Sequence, residues 1–65
     1  MNTSMFTYVT AMDFLGTCVQ GIQISKPMLD ADEITSILLS KYSELVLSQQ
    51  IGENELFNIV RSYMN

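Results

Sequence analysis

The chain has 65 residues, 3 basic and 7 acidic, with no His and one Cys, for a formal net charge of −4. That length allows one small domain. Without His there is no imidazole nucleophile or general base and no zinc site of the usual N/S kind, and one Cys excludes an internal disulfide frame. Charged residues make up 15%, against about 25% in an average soluble domain, while hydrophobic residues make up 48%. So short and apolar a chain buries little core alone, and self-association is the first expectation.

In the first segment, Met5, Tyr8, Met12, Leu15, Val19 and Ile22 recur at alternating gaps of three and four. This heptad-like stripe predicts a helix over about 10–23. Phe6 to Thr10 has strand-like chemistry, so residues 1–9 are expected to be frayed. Gly16 and Gly21 each weaken a helix interior by roughly 1 kcal/mol. Phe14 falls off the stripe and is a candidate partner contact.

No apolar run reaches the roughly 18 residues of a membrane span. The first basic residue is Lys26, so a secretory signal is not expected. A single free Cys fits a reducing cytoplasm.

Pro27 divides the chain, because it biases Lys26 away from helical angles. Asp30 then reads as an N-cap, with Glu33 three residues later completing a capping box. The helix that follows is expected over 31–50. Its apolar residues, from Ile34 to Leu47, cover more than half the helix circumference. Such a helix is packed on two sides. Gly52 reads as its stop. Leu56, Ile59, Val60 and Tyr63 give a short third helix over 53–64, with acids early and Arg61 late, as the helix dipole favours.

The residues offer little for chemistry. Cys18 has no nearby base and reads as an inert core thiol. Asp30, Asp32 and Glu33 are the only carboxylate cluster, and capping accounts for them without a cation. Ser25-Lys26 and Ser40-Lys41 are sequence neighbours that point about 100° apart on a helix and make no dyad. Lys26, Lys41 and Arg61 form no basic stripe, and the charge balance disfavours DNA. The expected dimer or partner interface is Met5, Tyr8, Met12, Phe14, Leu15, Val19, Ile22, Phe57 and Val60.

Phe14-Leu15-Gly16, then Val19, Ile22, Ile24-Ser25, Leu29, Ile34 and Leu38 resembles the small enterobacterial biofilm-development and acid-resistance regulators of the AriR type, also called two-component-system connectors. The likeness resumes at Leu56, Ile59-Val60 and Tyr63. It implies an all-helical homodimer that modulates a phosphorelay to the envelope and biofilm response, some members being described as DNA-associated. It brings no catalytic motif.

The expectation is therefore an all-α fold, a helical hairpin plus a short third helix, paired as a homodimeric bundle. Its function would be that of a non-enzymatic cytoplasmic regulator, with no cofactor, binding a signalling or regulatory protein. A DNA-binding regulator and a phage-like or toxin-neutralising inhibitor are the alternatives.

Overall fold

A computed structural model gives the backbone of residues 3–64 and the side chains of residues 8–64. The described residues form an all-α domain of four helices without strands: α1 (Thr3–Ser25), α2 (Ala31–Lys41), α3 (Ser43–Ser48) and α4 (Glu53–Tyr63). No described helix is long and apolar enough to cross a membrane.

The first helix is longer than its sequence suggests. Its backbone is helical from Thr3, earlier than the start expected at about residue 10. The stripe that continues N-terminally through Tyr8 outweighs the local strand-like chemistry. Residues 1 and 2 lie outside the described part. The helix stops where Pro27 requires. The Lys26 N–H donates to the Ile22 carbonyl at 2.7 Å, and the Leu29 N–H then closes a turn onto the Lys26 carbonyl at 3.2 Å.

Asp30 opens α2 in extended backbone, with φ −92° and ψ 179°. Its carboxylate accepts from the Glu33 N–H at 2.9 Å, and the Glu33 carboxylate accepts from the Asp30 N–H at 3.0 Å. These two bonds form a capping box and satisfy donors that every helix start leaves open.

The single helix expected over 31–50 is two. The backbone leaves helical angles at Tyr42, with φ −121° and ψ 36°, and α3 begins at the next residue. An apolar arc wider than half a circumference cannot be buried by one straight rod with solvent on one side. The break shares it between two short elements, which place Leu38 and Val46 in the same core. Ser40, Tyr42 and Ser43 are weak helix formers and resist this little.

The stop at the end of α3 is also not where the sequence placed it. Gln50 carries the left-handed conformation, with φ 55°, whereas Gly52 is extended and caps α4. The Ile51 N–H donates to the Val46 carbonyl and the Gln50 N–H to the Leu47 carbonyl, both at 3.0 Å. This pair of bonds is a Schellman motif. Its usual hydrophobic companion is present, since Ile51 is buried.

The core gathers Leu15 and Val19 from α1, Ile34 and Leu38 from α2, Val46, Ile51, and Leu56, Ile59 and Val60 from α4. Helix α4 packs against both α1 and α2. At Gly16 the fit is tight, because the Tyr63 ring occupies the space a Cβ would need. The buried Thr35 hydroxyl donates to the Ala31 carbonyl at 2.7 Å. No buried side-chain polar atom among the described residues lacks a partner.

Two stability measurements test this account. Gln50→Gly relieves a left-handed non-glycine residue and is expected to stabilise the fold by about 1 kcal/mol in chemical denaturation. Gly16→Ala and Gly21→Ala carry the same helix-propensity gain of about 1 kcal/mol. Only the Gly16 change displaces the Tyr63 ring, so Gly16→Ala should be less stable than Gly21→Ala by roughly 1–2 kcal/mol. That gap should close in a Tyr63→Ala background.

Candidate functional site

Residues Phe14, Cys18, Gly21 and Ser25 follow one another along a face of α1 at spacings of four, three and four. This face lies to the side of the core stripe. Between it and α2 runs an open groove of about 550 Å³. Cys18, Gly21, Ile22 and Ser25 line it from α1, and Ile37 and Lys41 face them from α2. Lys26 stands at the interhelical turn, and Tyr42 closes the end where the helix breaks.

The charge of this groove is opposite to that of the chain. Two of the three basic residues line it and none of the seven acidic residues does. The Lys41 ammonium also lies 6.0 Å from the centre of the Tyr42 ring. Phe14 meets Tyr42 edge to face, with ring centres 5.1 Å apart and planes at 88°. A hydrogen bond to Cys18 raises the Tyr42 phenol above its ordinary 10, with burial and then electrostatic repulsion from Cys18 adding to it. Cys18 is half-buried at the groove rather than enclosed in the core.

Gly21 is the unexplained residue of the groove. A Cβ at Gly21 would meet nothing within 4 Å, in contrast to Gly16. The chain's own packing therefore gives no reason for a glycine in mid-helix.

The residues expected at an interface are divided by the structure. Leu15, Val19 and Val60 are fully buried inside one chain and have no surface for a partner. The same core holds Leu15 and Val19 of α1 and Val60 of α4, together with Ile34 and Leu38 of α2. Tyr8, Met12 and Ile22 are half-buried against the same core. Phe57 is half-buried, with the Arg61 guanidinium 5.9 Å from its ring centre. Phe14 remains 45% exposed. The side chain of Met5 lies outside the described residues.

Besides Phe14, the exposed large apolar residues among those described are Val9, Ile24, Met28 and Leu47. Val9 and Ile24 are 53% and 84% exposed, but they stand about 22 Å apart along α1 at 1.5 Å per residue. A second, polar hollow lies at the starts of α2 and α4, between Asp32, Ser36, Glu53 and Phe57. Among the described residues no three His, Cys, Asp or Glu side chains converge as metal ligands do.

Lys26, Lys41, Gly21 and Tyr42 were not among the expected site residues. Gly21 alone carried a sequence signal, as a glycine inside a helical pattern. That Lys26 and Lys41 line one groove depends on the turn and has no signature in spacing. Compared with protein-family models, curated proteins and solved structures, the chain matches none.

On the far side of α1, the Tyr8 hydroxyl donates to the Glu55 carboxylate of α4. That bond, with lesser help from burial and the carboxylate charge, raises the Tyr8 phenol above 10. A phenol whose folded pKa exceeds its unfolded one stabilises the fold fully below pH 10 and loses that contribution as pH rises further. Denaturation at pH 9 and pH 11 should therefore show a smaller alkaline loss for Tyr8→Phe than for the parent chain. The Tyr42 phenol leaves some loss in both.

Proposed function

We propose that the chain is a small regulator that acts by binding another protein and performs no chemistry of its own. The observation supporting this reading is the α1–α2 groove, an apolar floor flanked by two lysines on an otherwise acidic chain. A binder of this size changes its partner by favouring one of the partner's conformations. The resemblance to AriR-type connectors supplies the setting, a phosphorelay governing biofilm, envelope-stress and acid-resistance responses. With no His, the chain cannot itself carry a phosphohistidine, so a role in a relay has to run through binding.

This reading does not depend on the expected homodimer, since the groove lies within one chain. The accessible surface is 4561 Å². A folded monomer of 7.3 kDa exposes roughly 4,200 Å² on average. The excess is small and goes with an elongated shape of 42 × 17 × 17 Å.

Affinity purification of the tagged chain from its native host, read by mass spectrometry, tests the proposal. A histidine kinase, a phosphotransfer protein or another regulator is the expected co-purifying species. Recovery of the bait without any such protein counts against it.

A further inference from the structure

We infer that the α1–α2 groove is a docking slot for an acidic amphipathic helix of the partner protein. This rests on the reading of the chain as a protein-binding regulator and adds the chemistry of what is bound. Three observations carry it.

The first is Gly21. A glycine in a helix interior costs about 1 kcal/mol relative to Ala. At Gly16 the space gained is filled by Tyr63, and at Gly21 by nothing in the chain. A bare backbone facing an open groove lets another main chain approach closely.

The second is charge. Lys26 and Lys41 flank the groove, no carboxylate lines it, and the chain as a whole is at −4. Complementary potential then selects a partner segment bearing carboxylates and rejects a basic one.

The third is the apolar floor. Ile22 and Ile37 are half-buried there. An apolar groove bordered by polar groups suits a helix with anchors at i, i+3 or i+4, and i+7. Carboxylates flanking those anchors would reach the two lysines.

A second copy of the chain fits the slot poorly. A two-fold dimer presents the same surface on both sides. With the two-fold axis through the groove, the lysines of one groove would stand against those of the other. Placing the groove on a different face of the next copy gives a head-to-tail contact that need not close.

The test uses the full 15N-labelled chain and two synthetic amphipathic peptides about 18 residues long. Both carry the same Leu/Ala face, one with Glu and the other with Lys at the flanking positions. At up to millimolar concentration the Glu peptide should shift the amides of Cys18, Gly21, Ile22 and Lys41. The Lys peptide should not. Added salt should weaken the binding. The double variant Lys26→Glu, Lys41→Glu should bind the Glu peptide at least about tenfold more weakly and turn its preference to the Lys peptide.

Gly21→Leu fills the slot and should abolish the shifts while its thermal melt stays level or rises. No groove shifts, equal response to both peptides, or an unaffected Gly21→Leu variant overturns the inference. So does a dimer in sedimentation that Gly21→Leu dissociates, since the occupant is then a second copy. A co-purifying regulator that still binds Gly21→Leu overturns the slot and leaves the proposed function standing. A peptide that seats in the groove of a chain that recovers no partner does the reverse.

Discussion

Eleven residues make too few internal hydrogen bonds to hold a helix in water, so α4 owes its existence to what it packs against. It also supplies Leu56, Ile59 and Val60, without which Leu15, Val19, Ile34 and Leu38 have no roof. The fold depends on this docking in both directions. The Tyr63 ring lies on the bare backbone of Gly16, and the Glu55 carboxylate holds the Tyr8 hydroxyl. The first contact sets how closely α4 approaches α1. The second ties a longer stretch of α1 to the bundle. The Tyr42 break and the Schellman turn around Gln50 bring the chain back far enough for α4 to reach this seat.

The stripe of α1, the capping box of α2 and the amphipathic α4 are legible because each is written in local spacing. Asp30 and Glu33 need only be three apart and precede an apolar run. The break at Tyr42 is not local in that sense. It answers the question of where a two-sided apolar arc can be buried, and that depends on the position of α4. Gln50 was hidden for a different reason. Propensity assigns the left-handed position to glycine, and Gly52 stands two residues away. The chain puts Gln50 there because Ile51 must turn into the core, and the burial of that isoleucine outweighs the backbone strain.

The same reasoning separates two meanings of an apolar stripe. Met12, Leu15, Val19 and Ile22 satisfy a heptad pattern as well as a dimer would, yet a helix of the same chain serves as the opposite wall. Periodicity shows which face is buried and is silent about whose atoms bury it. Leu15 and Val19 therefore passed from expected interface to internal core without any change in their chemistry. The groove residues made the opposite passage. Lys26 and Lys41 are 15 positions apart, scattered in sequence and adjacent to one slot once the Pro27 turn folds α2 back.

The two glycines of α1 show how far such a reading can be carried. Counted by propensity they are equal, each a weak point in a helix. Counted by surroundings they are opposites, one filled by an aromatic ring and the other facing open space. A helix that needed only to fold would favour alanine at Gly21, since nothing in the chain opposes the extra methyl. Stability alone thus accounts for Gly16 and leaves Gly21 unaccounted for. On the docking inference drawn above, the bare backbone of Gly21 admits a segment from outside, and the two lysines that line the same groove set the sign of its charge.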